Sequence, residues 1–121
     1  MAIILIIDDE LSMRRLLTRA LSNAGHTVYD APDGGAGLQL FRDIGPALVI
    51  TDIVMPDVEG IETIRSVRRD DMHVPILAIS GSDPVYLRFA TELGATAALR
   101  KPFAVDQLLT TVDALLCTES R

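Results

Sequence analysis

The sequence predicts an α/β fold, a doubly wound five-stranded parallel sheet with helices on both faces, forming a single domain over residues 1–121. Three observations predict it. Apolar runs of strand length alternate five times with segments of helical periodicity. The connections are short, and strand–helix–strand units of that kind wind as right-handed crossovers between parallel neighbours. Polar residues follow directly on the apolar runs, at the carboxyl ends of the strands, where open α/β sheets gather their ligands.

Each element has its own justification. Ala2 to Ile7 is an isoleucine-rich run that reads as a buried strand, cut off by Asp8-Asp9-Glu10. Met13, Leu16, Leu17, Ala20, Leu21 and Ala24 then recur at helical spacing, and Gly25 is the expected stop. Thr27 to Ala31 reads as a shorter strand. Asp33 is placed to cap a helix running to about Asp43, although Gly34, Gly35 and Gly37 lower its intrinsic propensity. Ala47 to Thr51 is the third strand and ends at Asp52, with Met55-Pro56 and Gly60 beyond it. Ile61, Ile64 and Val67 mark a third helix that closes near Arg68-Arg69-Asp70-Asp71.

Pro75 opens a fourth strand, Ile76 to Ile79, which ends at Ser80-Gly81-Ser82. Asp83-Pro84 supplies a capping side chain followed by a preset first helical residue, and this fourth helix runs to about Leu93 before Gly94. Thr96 to Leu99 is the fifth strand, followed by Arg100-Lys101-Pro102-Phe103. Val105, Leu108, Leu109, Val112, Leu115 and Leu116 form one face of a final helix.

Composition narrows the function. Apolar residues are 49% and charged residues 23% of the chain, a globular balance. A net charge of −6 argues against direct nucleic-acid binding, which needs clustered Lys and Arg. No apolar run reaches the ~18 residues that cross a bilayer, and the acidic interruption at Asp8 argues against a signal peptide. Because the first strand starts directly after Met1, no substantial preceding segment is expected. Cys117 is the single cysteine, which fits a reducing, cytoplasmic setting and a small side chain in the last helix.

The polar residues at the strand ends carry the chemistry. Asp8 and Asp9 follow the first strand, Asp52 the third, Ser80 the fourth and Lys101 the fifth, so all should converge on one crevice. At ~4 Å and an effective dielectric of ~20, each close carboxylate pair costs about 4 kcal/mol before screening. A divalent cation relieves that repulsion, and Mg2+ suits a few carboxylates combined with phosphate oxygens. Carboxylates, a hard cation, a lysine and a hydroxyl together make a phosphoryl-transfer site. Two plainer readings stand beside it. Asp52 can be a loop-shaping aspartate beside Pro56 and Gly60, and Lys101 can simply neutralise Asp8 or Asp9.

These residues resemble the receiver domain of two-component response regulators over the whole chain. The matching pieces are Asp8-Asp9-Glu10, Asp52-Ile53-Val54-Met55-Pro56 with Gly60, Ser80-Gly81, and Lys101-Pro102-Phe103. The resemblance implies a flavodoxin-like strand order of 2-1-3-4-5. It implies Asp52 as the phosphoacceptor, Asp9 as a direct magnesium ligand and Asp8 as the holder of metal-bound water. The main-chain carbonyl of Val54 would complete the protein's ligand set. Ser80 corresponds to the switch hydroxyl, Lys101 to the ion-pair partner of the phosphoryl group, and the Lys101-Pro102 bond to a cis peptide. The implied partner is a sensor histidine kinase or phosphotransfer protein, with an output partner that the sequence does not identify. A monomer or transient dimer is expected, acting as a switch that assists its own phosphoryl transfer and slow dephosphorylation rather than as an enzyme.

Two departures from the resemblance have consequences. Val54 has no hydrogen-bonding group to orient a hydrolytic water, which implies a long-lived phosphoryl group. Ala98 stands where similar receivers carry Tyr or Phe, with Tyr86 and Phe89 as candidates to fill that space. Rival classes fit less well. A flavin carrier would need a phosphate cradle where Asp8-Asp9-Glu10 repels phosphate. A haloacid-dehalogenase-type phosphatase would place its aspartates two residues apart after the first strand. A non-phosphorylated pseudo-receiver acting as an interaction module is the strongest alternative. His26 and His73 belong to no metal-spacing motif, and Arg14, Arg15 and Arg19 read as lining solvent or a kinase-docking face.

Overall fold

The computed structural model describes residues 1–53, 59–81 and 84–119, without the side chains of residues 59, 84, 86, 87, 118 and 119. Strands β1 (Ile3–Ile7), β2 (Thr27–Ala31), β3 (Leu48–Asp52), β4 (Ile76–Ser80) and β5 (Ala97–Arg100) alternate with helices α1 (Leu11–Asn23), α2 (Gly34–Ile44), α3 (Glu59–Asp70), α4 (Pro84–Leu93) and α5 (Val105–Glu119). The sheet is parallel in the order β2-β1-β3-β4-β5, a flavodoxin-like arrangement. The architecture expected from the sequence and the strand order implied by the resemblance are both found. No helix among the described residues is long and apolar enough to cross a membrane.

Alternation along the strands builds two cores. In β1, Ile4 and Ile6 pack with Leu17 and Leu21 of α1 and with Leu108 and Val112 of α5. Leu5 and Ile7 point the other way, against Phe41 of α2, Ile64 and Val67 of α3 and Ala90 of α4. Central strands buried on both faces favour near-continuous apolar residues, which is why β1, β3 and β4 read as apolar runs that turn polar only at their carboxyl ends.

The glycine-rich α2 forms as the Asp33 cap predicts: Asp33 Oδ1 accepts from the Ala36 amide at 2.8 Å. One of its glycines, Gly37, answers to packing. A Cβ on Gly37 would lie 2.5 Å from Ile7 Cδ1, so the helix sits closer to β1 than any side chain would permit. Ala24 falls just beyond α1 and is exposed, and two positions within the helices depart from the faces read in the sequence. Leu16 is exposed on α1 and Val105 on α5, each at the border of its apolar stripe.

Candidate functional site

Parallel register brings the acidic residues together. Ile7 pairs with Thr51, so the residues that follow them, Asp8 and Asp52, leave adjacent strands side by side. Asp52 is itself the last residue of β3, opposite Ile79 of β4, one position later than the strand end expected from the apolar run. Ser80 closes β4 beside Arg100, and its carbonyl accepts from the Lys101 amide at 2.9 Å. Four strand ends thus place Asp8, Asp52, Ser80 and Lys101 along one edge of the sheet, with Asp9 next to Asp8. Gly60 opens α3 against this edge. A Cβ there would lie 2.6 Å from Ile53 Cα and 2.7 Å from the Asp52 carbonyl, so only glycine lets the helix approach the end of β3.

Carboxylate oxygens of Asp8, Asp9 and Asp52 lie within 4.8 Å of one another. Asp8 and Asp52 are buried, whereas Asp9 is exposed. Lys101 Nζ stands 3.2 Å from Asp52 Oδ2 and 3.9 Å from Asp8 Oδ2. Among the described residues, these three carboxylates and the Lys101 ammonium are the charged side-chain groups brought together here, and the carboxylates outnumber the ammonium. Burial above all pushes the Asp8 carboxyl up to about 6, with Asp52 and Asp9 adding repulsion; the Glu10 amide and Lys101 act in the opposite direction. That amide donates to Asp8 Oδ1 at 2.8 Å. A crowded, partly desolvated set of hard oxygen donors fits a hard divalent cation. The Lys101–Pro102 peptide is cis.

An apolar groove of about 430 Å³ lies beside the cluster, lined by Met13, Leu16, Gly81, Lys101, Pro102 and Phe103. The exposure of Leu16 is explained by its place on this groove. Arg15 is exposed as expected, whereas the Arg14 side chain is largely covered rather than lining solvent. It donates from Nη1 to the Asp8 carbonyl at 2.8 Å and from Nε to Asp30 at 3.0 Å. Periodicity could not reveal this, because the contact spans 16 residues of sequence and depends on β2 lying next to β1. The Val54 carbonyl, Met55-Pro56, the Asp83 cap and the Tyr86 ring lie outside the described residues. Ala98 is exposed on β5, and Phe89 is 47% exposed on α4.

A family model for the response regulator receiver domain matches residues 4–113. The chain belongs to this family. Among curated relatives, the receiver domain is 39% identical to response regulator MprA of Mycobacterium sp. (strain KMS) over 114 residues, covering 93% of this chain and 50% of that protein. It is 34% identical to transcriptional regulatory protein TrcR of Mycobacterium tuberculosis over 114 residues, covering 93% of this chain and 44% of that one. The receiver domain thus spans about half the length of these relatives. Among solved structures, the receiver domain of NtrX from Brucella abortus superposes with a TM-score of 0.90 at 30% identity, covering 95% of this chain and 98% of that one. Chemotaxis protein CheY4 of Vibrio cholerae superposes with a TM-score of 0.88 at 31% identity, with the same coverage of 95% and 98%.

Proposed function

We propose that this receiver domain is a phosphorylation-dependent signalling switch in which Asp52 accepts a phosphoryl group from the phosphohistidine of a sensor histidine kinase or phosphotransfer protein. The observation that carries the reading is the juxtaposition of Asp52 with Asp8, Asp9 and Lys101, inside a chain that belongs to the receiver family. A carboxylate is ionised at neutral pH, so Asp52 needs no general base. One of its oxygens forms the new bond to phosphorus as the bond from phosphorus to the imidazole nitrogen breaks. That electron pair stays on the departing imidazole, and Asp52 becomes an acyl phosphate.

The remaining residues manage charge and alignment. Asp9 and Asp52, with Asp8 through water and the Val54 carbonyl, would hold Mg2+. Bound Mg2+ supplies neutralisation of charge on the transferring phosphoryl oxygens. Lys101, already 3.2 Å from Asp52, is placed to exchange that carboxylate for a phosphoryl oxygen. Ser80, at the end of the neighbouring strand, is the hydroxyl that would follow the new charge, and its movement would bias the loop before α4. The groove between Met13 and Phe103, with Leu16 on its α1 side, offers an apolar seat next to the acceptor for a donor protein. A cytoplasmic setting goes with this reading, consistent with the free thiol of Cys117.

Intact-mass measurement after incubation with acetyl phosphate and Mg2+ tests the proposal. A single phosphoryl increment that requires Mg2+ and is missing in Asp52→Asn is expected. Equal labelling of Asp52→Asn would overturn the acceptor assignment, and an unlabelled wild type would favour a pseudo-receiver acting as an interaction module.

A further inference from the structure

We propose that Arg14 is a positioning residue for the metal-binding loop, its guanidinium tying the Asp8 carbonyl to the Asp30 carboxylate at the end of β2. The inference rests on the magnesium-dependent reading given above and assigns that site a residue outside its ligand set. Arg14 lies in the first turn of α1, and its side chain is only 14% exposed. Nη1 donates to the Asp8 carbonyl at 2.8 Å and Nε to Asp30 Oδ2 at 3.0 Å. The planar guanidinium fork holds both acceptors in one fixed arrangement, which a flexible ammonium cannot do.

The Asp8 carbonyl matters because of what shares its peptide plane. That plane is rigid and carries the Asp9 nitrogen and Cα, so holding the oxygen restrains where the Asp9 side chain starts. Asp9 is exposed, and its backbone position sets where its carboxylate can reach. On the other side of Asp8, its own amide donates to the Ala31 carbonyl at 3.1 Å, and its Oδ1 accepts from the Glu10 amide at 2.8 Å. Arg14 supplies the one tie in this set that comes from a side chain of α1, and Asp30 anchors it to the neighbouring strand.

Positioning can be separated from simple electrostatics by sign. A guanidinium near a cation site repels the cation, so charge alone predicts that removing Arg14 tightens Mg2+ binding. Charge alone also predicts no change for Arg14→Lys. Positioning predicts that both variants weaken binding, because partners behind the ligands set their geometry.

Magnesium affinity of the whole chain, measured by calorimetric titration and by backbone amide shifts, decides between them. Arg14→Ala and Arg14→Lys should each bind Mg2+ about tenfold more weakly than wild type. Asp30→Asn should weaken binding in the same direction, and the Arg14→Ala, Asp30→Asn double variant should be no weaker than Arg14→Ala. If Arg14→Ala fails to fold, Arg14→Lys carries the test. Wild-type or tighter affinity in a folded Arg14 variant, even one with lowered thermal stability, overturns the inference and leaves the functional reading intact. A wild type that binds no Mg2+ overturns both.

Discussion

The two edges of the sheet bury charge in opposite ways. At the amino edge, Arg68 at the end of α3 donates to the carbonyls of Val74 at 2.6 Å, Gly94 at 2.8 Å and Asp71 at 3.2 Å. Its remaining arm reaches Thr96 Oγ1 at 3.2 Å, and that hydroxyl accepts from the Ile76 amide at 3.0 Å. Asp71 Oδ1 accepts from the His73 and Val74 amides at 2.8 and 3.1 Å. Burial lowers the Arg68 pKa and Asp71 opposes that shift, so one cation is matched by carbonyls and a carboxylate. At the carboxyl edge, among the described residues, the carboxylates of Asp8, Asp9 and Asp52 cluster beside Lys101, which pairs with Asp52 and Asp8. The first edge is electrostatically closed and joins α3, α4 and the starts of β4 and β5. The second carries an excess charge that a bound cation and a phosphoryl group can use. A fold that satisfies one edge can tolerate strain at the other, where the chemistry lies.

The comparison breaks most visibly at Arg68. Arg68→Ala leaves several carbonyls without a donor and should cost about 3 kcal/mol in urea unfolding, while Asp52 labelling below the melting range stays at the wild-type rate. Loss of labelling in folded Arg68→Ala would show that the amino edge is not merely structural. Asp8→Asn should have the opposite sign. It removes a buried charge and should stabilise the metal-free protein by about 2 kcal/mol above pH 6, while weakening Mg2+ binding. A destabilised Asp8→Asn would mean that Lys101 already compensates the cluster. The smallest effect belongs to Thr96→Val, which leaves the Ile76 amide unpaired at the satisfied edge. About 1 kcal/mol of lost stability with unchanged Mg2+ affinity is expected.

Much of this was legible in the sequence. The strand–helix alternation gave the fold because buried parallel strands favour near-continuous apolar residues, and the polar residues that stop them mark the site. Asp33 revealed α2 despite its glycines, one of which, Gly37, has its reason in the close approach to Ile7. Arg14 and Arg68 were illegible. Each works through a long side chain that reaches backbone carbonyls on other elements, and neither hydrophobic periodicity nor motif spacing encodes those partners. Leu16 and Val105 fit their helical stripes by spacing yet are exposed, since periodicity gives the direction of a side chain but not where the neighbouring element ends.

The central claim, that the carboxyl edge is held in a charged state suited to a cation, is tested by the pH dependence of unfolding with and without Mg2+. The Asp8 carboxyl titrates at about 6 in the folded protein against 3.8 for an unperturbed carboxyl, so between those values the native state binds more protons than the unfolded one. Stability of the metal-free protein should therefore fall through this group as pH rises across that window, with the loss complete above about pH 6. Saturating Mg2+ should restore stability at neutral pH, and the gain should fade as pH drops through about 6 and protons displace the cation. In Asp8→Asn both the pH-dependent fall and most of the gain from Mg2+ should vanish. A wild type whose stability at neutral pH is indifferent to Mg2+, or a variant that keeps the full gain, would contradict the account.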